Sequence, residues 1–206
     1  MTSTDAADRH GSWIDLYWIP LGAGTRVVRL SGRIYERILA RLQRRAPRDL
    51  YHSALVVADR GRRFTLEMAP VWSDPADDRG VVCEGPVGLP GLGRFRAFRY
   101  EVRCWRDGTI PDLAAAVGGP VRVTDDASGV TELLAAVQEV PPLTWGLDEL
   151  GAGEMWNSNS LVAWLLARLQ VDVAVLRPPA DGRAPGWRAG LVLAARQRAE
   201  VVSSRP

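Results

Sequence analysis

The residue types best suited to chemistry lie together between Trp156 and Ser160, directly before an apolar stretch at 161–169. Small polar residues cap the start of a helix, and the free backbone N–H groups of the first turn can bind a developing oxyanion. A serine at that place also feels the positive end of the helix dipole. We therefore interpret Ser158 as a candidate nucleophile, with plain helix capping as the structural alternative. The residues predicted to contact substrate or oxyanion are Trp156, Asn157 and Asn159.

A serine nucleophile also needs a base and a group that orients the base. His52 is the candidate base, because it is the one histidine inside the predicted fold and has apolar neighbours in a predicted strand. Glu67 is the first choice for orienting its ring, followed by Asp15 and Glu84. Whether His52 and Glu67 share a sheet face depends on the register of their hairpin. The alternatives are a structural histidine and a glutamate on the surface of a strand.

Hydrophobic periodicity predicts the elements that position these residues. The predicted strands are 14–20, the two arms of a hairpin at 50–57 and 63–68, and 95–105. The predicted helices are 33–45, 129–137 and the buried 161–169, while 110–117 is a short helix or turn and 189–197 a strand or helix. Residues 70–94, rich in Pro, Gly and Asp, predict a long mobile loop beside the site, and 177–187 predicts another loop. Few parallel βαβ units are evident, so the fold class is α+β.

The composition is that of an ordinary globular chain of 206 residues, with 47% apolar and 24% charged residues. We expect a single domain at residues 12–198 with flexible tails at 1–11 and 199–206. All 26 basic residues are Arg, which we attribute to genomic base composition. They are spread along the chain and offset by 24 acidic residues, which leaves a net charge of +2. This distribution predicts no nucleic-acid partner.

The two cysteines, Cys83 and Cys104, do not have the spacing of a metal site, and we predict no metal and no cofactor. Whether they pair is open, with a disulfide as the less favoured interpretation in a chain that shows no signal peptide. The polar segment from Met1 to Gly11 lacks the apolar run of a signal peptide or anchor. A cytoplasmic location without a membrane span is therefore expected.

Two of these motifs carry a family resemblance. A strand with an early histidine at 50–57, followed much later by Asn157-Ser158-Asn159-Ser160 at the start of an apolar helix, resembles the circularly permuted papain-like superfamily. That superfamily includes NlpC-like peptidases, lecithin:retinol acyltransferase relatives and PPPDE-type deubiquitinating peptidases, whose helix opens with Asn-Cys and whose Cys is the nucleophile. The resemblance places Ser158 at the Cys position, His52 at the His position and Glu67 at the polar third position. It implies an antiparallel sheet packed on the buried helix.

The resemblance implies acyl-group chemistry, with a hydrolase or acyltransferase acting on an amide or ester of a small-molecule, peptide or acyl substrate. A serine needs fuller deprotonation by its base than a thiol does. The exchange of Cys for Ser158 therefore indicates either a serine enzyme in this scaffold or an inactive one. The alternative functions are a non-catalytic binding module and an effector- or toxin-type domain. The oligomeric state is not predicted.

Overall fold

A six-stranded antiparallel sheet forms the centre of the computed structural model, which describes residues 11–21, 46–71, 79–110, 112–169 and 171–203. The strands lie in the spatial order β4-β5-β3-β2-β1-β6. They are β1 (Trp13–Pro20), β2 (Tyr51–Asp59), β3 (Arg62–Pro70), β4 (Val81–Pro86), β5 (Arg99–Arg106) and β6 (Val121–Thr124). The α-helices of the described residues are α1 (Ala127–Ala136), α2 (Ser158–Arg168) and α3 (Trp187–Ser203). The predicted α+β class is confirmed.

The β2–β3 hairpin follows its sequence pattern closely. Asp59 pairs with Arg62 at its end, so Arg60 and Gly61 form a two-residue turn. Both turn residues have positive φ, 49° and 81°, as the tightest hairpin turns require. The register continues to Leu55 opposite Leu66, and the predicted strand pair is therefore present.

The α-helices lie close to their predicted positions. The buried helix, apolar at 161–169, begins at Ser158 as predicted, because the polar run itself forms its first turn. Its residues from Asn159 to Ala167 are all buried, as expected for a helix that is apolar on nearly every side. Residues 189–197, predicted to be a strand or a helix, are part of helix α3. This helix continues to Ser203, beyond the domain end expected at residue 198. Among the described residues, no helix has the length and apolarity needed to cross a membrane.

The two faces of the sheet carry different apolar clusters. Side chains alternate along a strand, so Leu55 and Val56 of β2 lie on opposite faces. The face of Leu55, called the front face, packs against α1 and α2 in the main apolar core. The face of Val56, called the back face, carries a second and smaller apolar cluster. That cluster contains Ile19, Ala54 and Ile110 as its buried residues.

The prediction of one long loop at 70–94 is wrong, because Val81–Pro86 form the edge strand β4. These residues have no clear alternation and end in Gly85-Pro86, so the strand depends on pairing with β5. Gly85 permits this pairing, since a Cβ there would lie 2.4 Å from the ring of Tyr100. Residues 72–78 of the same segment lie outside the described residues.

The remaining elements differ from their predicted bounds. The strand predicted at 95–105 begins at Arg99, because residues before it form two short 3₁₀ turns, Pro90–Arg94 and Arg96–Phe98. Sequence periodicity did not indicate β6, which pairs with the edge of β1. Within 110–117 the structure has a 3₁₀ turn at Leu113–Ala115. The helix predicted at 33–45 lies outside the described residues.

Helices α2 and α3 pack in close contact at Gly190. A Cβ at Gly190 would lie 2.1 Å from the carbonyl oxygen of Ser160 and 2.9 Å from Cβ of Ala163. Glycine is therefore required by the space between the helices and not by a special backbone angle. This contact brings the start of α3 against the start of α2.

We predict that Gly190→Ala lowers the free energy of unfolding by about 2–3 kcal/mol, because a methyl group would force the two helices apart. Denaturant unfolding measures this. Gly129→Ala in α1 is the matched control, since its nearest side-chain atom, Cγ2 of Thr124, is at an ordinary 3.5 Å. We expect this control to be neutral or to stabilise by about 0.5 kcal/mol. Equal effects of the two substitutions would contradict the packing argument.

Candidate functional site

The start of α2 is held by a complete capping box. The side chain of Asn157 accepts hydrogen bonds from the backbone N–H groups of Asn159 (2.9 Å) and Ser160 (3.2 Å). In return, the backbone N–H of Asn157 donates to Oγ of Ser160 at 3.0 Å. A box of this kind satisfies the donors that a helix start leaves free. Two of the N–H groups expected to bind an oxyanion are therefore occupied by the protein itself.

Asn159 connects the helix to the sheet. Its side chain is buried, with 3% of the residue exposed. Oδ1 accepts from Oγ of Ser53 at 2.8 Å, and Nδ2 donates to the carbonyl oxygens of Tyr51 (3.0 Å) and Pro185 (2.9 Å). Tyr51 lies at the end of β2 beyond the last recorded pair with β3, and its N–H donates to Arg183. At Tyr51, the side chain of Asn159 and the backbone of Arg183 thus bind the backbone groups of β2 that β3 does not reach.

Ser160 and Glu154 connect the same region to α3. Oγ of Ser160 lies 2.7 Å from the carbonyl oxygen of Gly186, to which it donates. The carboxylate of Glu154 accepts from the N–H groups of Gly186 and Arg188, both at 3.0 Å, and so caps the positive end of α3. Gly186 has a φ of 92°, and a Cβ there would collide with Asn157. The polar run is therefore the junction between β2, α2 and α3.

Ser158 differs from its neighbours. It is half-buried at the first position of α2, and its side chain forms no hydrogen bond with the described part of the chain. Trp156 is 1% exposed and packs in the main core, so it is not a surface for substrate. Of the four residues predicted at this site, Ser158 alone is free of a packing or bonding role in these contacts.

His52 lies on the other side of the sheet. The β1–β2 register pairs His52 with Ile19 and Ser53 with Trp18. Ser53 contacts α2 through Asn159, so alternation puts His52 on the back face. The structure therefore does not bring His52 and Ser158 together, contrary to the expected hydrogen-bond distance between them. Because the sheet lies between them, the ring of His52 cannot take the proton of the Ser158 hydroxyl.

The surroundings of His52 are those of a structural histidine. Burial lowers the pKa of its ring, and the negative charge of Asp112 opposes that effect without reversing it. No hydrogen bond to the ring is found within the described ranges. A neutral ring among apolar neighbours such as Ile19 and Ala54 follows from these conditions.

The carboxylates proposed to orient His52 each contact an arginine. Glu67 shares the back face with His52, as the Leu55–Leu66 register shows, but its carboxylate is 3.2 Å from Nη1 of the buried Arg103. Arg103 also donates to Glu101, which accepts two bonds from Arg79. The other two candidates behave alike: Asp15 contacts Arg122 at 2.6 Å and Glu84 contacts Arg99 at 3.0 Å.

The cysteines are free thiols, which answers the open question of their pairing. Burial raises the pKa of Cys104 to about 11, and burial and then Glu84 raise that of Cys83. Neither is therefore an activated nucleophile. Over the described ranges, no cluster of three or more His, Cys, Asp or Glu residues could hold a metal ion.

A recess that the sequence did not indicate lies next to the junction. It has a volume of about 310 Å³ and lies between the segment 173–184 and the start of α3. Its lining is mostly apolar, and charged groups stand at Glu154, Arg177 and Arg183. The apolar lining consists of Val173, Ala174, Leu176, Pro178, Ala184, Trp187 and Leu191. The sequence signal available for it was Trp187, a large aromatic residue in a predicted loop.

Comparison of the chain with protein-family models, curated proteins and solved structures finds no match. The resemblance to the papain-like superfamily therefore stays a prediction, carried by two short motifs. The antiparallel sheet packed on a buried helix is present. The predicted pairing of its histidine with its serine is not.

We predict that Asn159→Asp lowers the free energy of unfolding by about 4 kcal/mol at pH 7, because a carboxylate would face the carbonyl oxygens of Tyr51 and Pro185. The buried carboxyl would have a raised pKa. Its penalty is therefore full above that pKa and declines as the pH falls toward about 4, the unfolded value. Unfolding at pH 7 and pH 4.5 measures the difference. Ser158→Ala is the control, with an expected change within about 0.5 kcal/mol, and a pH-independent penalty would contradict the assignment.

His52 gives a second prediction. Because its pKa is lower in the folded protein than the ordinary 6.5, the unfolded chain binds a proton first as the pH falls. Stability should therefore decrease below about pH 6.5, by at most about 1.4 kcal/mol per pH unit. His52→Gln should remove this slope between about pH 6.5 and 5. Glu101 does not interfere there: burial raises its pKa, but bonds from Arg79 and Arg103 hold it below 4.5. An unchanged slope would contradict the burial of a neutral ring.

Proposed function

We propose that this protein is a binding module that recognises an apolar group with a negatively charged end in the recess beside α3. The observation that carries the proposal is the use of the polar run from Asn157 to Ser160. The side chains of Asn157, Asn159 and Ser160 and two of the first-turn N–H groups join the secondary structure elements, directly beside an apolar recess. Such an arrangement supports binding more than acyl transfer, because transfer needs free oxyanion donors and a base.

The recess is suited to a ligand by size and lining. A volume of about 310 Å³ is at the lower end of small-molecule sites, and it accommodates an aromatic or branched aliphatic group. Trp187 presents a rigid aromatic surface, and its ring is held against Trp18 with the centroids 5.2 Å apart. The wall of the recess is thus fixed by the front-face core.

Arg177 supplies the charge for the anionic end. Its Nε donates to the carbonyl oxygen of Ala174 at 3.1 Å, which fixes the guanidinium at the rim. Its two terminal nitrogens have no hydrogen-bond partner in the part of the chain that the structure describes. A guanidinium held in this way presents a fork for a carboxylate or sulfonate. Glu154, by contrast, accepts hydrogen bonds at the start of α3, and its negative charge disfavours a second anion in the recess.

The test uses anilinonaphthalene sulfonate, whose rings are apolar and whose sulfonate is anionic, with fluorescence and calorimetry as readouts. Ala184→Phe should fill the recess and weaken binding at least about tenfold. Arg177→Gln should weaken binding by roughly tenfold while leaving the apolar contacts intact. Ala135→Phe on the exposed side of α1 and Arg198→Gln on α3 are the matched controls, and neither should change the affinity.

A second arm tests the rival enzyme function. The wild type and Ser158→Ala are incubated with a fluorophosphonate probe and with activated esters. We expect no labelling of Ser158 and no difference in ester turnover, since its first-turn donors are occupied. Labelling that disappears in Ser158→Ala would overturn the binding proposal and favour a serine hydrolase. Equal sulfonate binding by wild type and Ala184→Phe would show that the recess is not the site.

A further inference from the structure

The loop between β4 and β5, residues 87–98, exposes apolar side chains at one edge of the sheet. The exposed fractions are 58% for Leu89, 47% for Phe95 and 43% for Phe98. Soluble surfaces rarely present large apolar side chains in one short segment without a contact to make. The loop follows the last pair of the two strands, Pro86 with Arg99, and forms the tip of their hairpin.

The loop is preformed. The N–H of Val87 donates to the carbonyl oxygen of Phe98 at 2.9 Å and closes its base. Three successive bonds of the i to i+3 type then join positions 89, 92, 95 and 98, at 2.9–3.0 Å. All four positions are apolar, and the side chains of Leu89, Phe95 and Phe98 are exposed. Contacting a partner therefore requires little ordering of the loop.

All the charged side chains of this loop are positive. Residues 87–98 contain Arg94 and Arg96 and no acidic residue. Both arginines are exposed, and within the described ranges neither has an ion-pair partner; Arg94 lies over the ring of Phe95 at 4.7 Å. The two acids nearest to the loop along the chain are also paired elsewhere, Glu84 with Arg99 at 3.0 Å and Glu101 with Arg103 at 2.9 Å. The tip thus combines outward apolar groups with uncompensated positive charge.

We propose that this loop docks the protein on an anionic lipid bilayer, with Leu89, Phe95 and Phe98 entering the interface and Arg94 and Arg96 contacting lipid phosphates or carboxylates. A protruding hairpin tip suits insertion into a bilayer, whereas a groove would favour a peptide partner. Apolar insertion together with positive charge is the combination that gives peripheral membrane binding. The charges select anionic over neutral lipid.

The experiment measures sedimentation of the full chain with phosphatidylcholine vesicles, with or without phosphatidylserine. We expect binding to the mixed vesicles only, weakened by added salt. The double variant Arg94→Gln with Arg96→Gln should bind about thirtyfold more weakly, from about 1 kcal/mol for each charge. Phe95→Ser with Phe98→Ser should lose at least about tenfold. Circular dichroism confirms that each variant is folded.

Matched controls come from other exposed positions. Arg188→Gln with Arg198→Gln removes two charges from α3, and Val175→Ser with Val202→Ser removes two apolar side chains that are 71% and 73% exposed. Neither pair should alter vesicle binding. The proposal is overturned if vesicles with and without phosphatidylserine bind equally or if the control pairs reduce binding as much as the loop variants. It is also overturned if the loop captures soluble polyglutamate but no vesicles, which would indicate an acidic protein partner.

Discussion

The side-chain amide of Asn159 joins the central sheet to the two helices that pack beside it. It contacts Ser53 and Tyr51 in β2 and Pro185 before α3, while its own helix is the most buried of the three described α-helices. Each of its three bonds is made away from water, where leaving a carbonyl or hydroxyl unpaired costs about 1–3 kcal/mol. A hydrophobic residue of similar size would fill the same space without satisfying those groups. The junction therefore requires an amide, with both donor and acceptor, at this position.

The same dependence explains why this polar run is a poor catalytic site. A nucleophile at a helix start works when the surrounding donors are free and a base lies on the same side. Here Asn157 occupies two donors, and the sheet lies between Ser158 and His52. Residues that indicate an active site by type are used to connect strands with helices.

The surface that remains for interaction is distributed over two regions. The recess beside α3 depends on the junction, since Glu154 and Trp187 both contact elements that Asn159 and Ser160 hold in place. The β4–β5 loop lies at the other edge of the sheet, where its own backbone bonds and one from Gly88 to Trp145 maintain it. The proposed ligand recess and the proposed bilayer contact share no residue.

The local features of this protein can be predicted from neighbouring residues in its sequence. Apolar periodicity and turn chemistry suffice for β1, the β2–β3 hairpin and α2, because those signals arise from neighbours along the chain. Tertiary structure decided the edge strands β4 and β6, which have weak patterns and exist through their partners. It also decided the site. Shifting a strand by one residue reverses the face of every side chain, so whether His52 or Ser53 meets α2 depends on a packing register that the residue types alone do not contain.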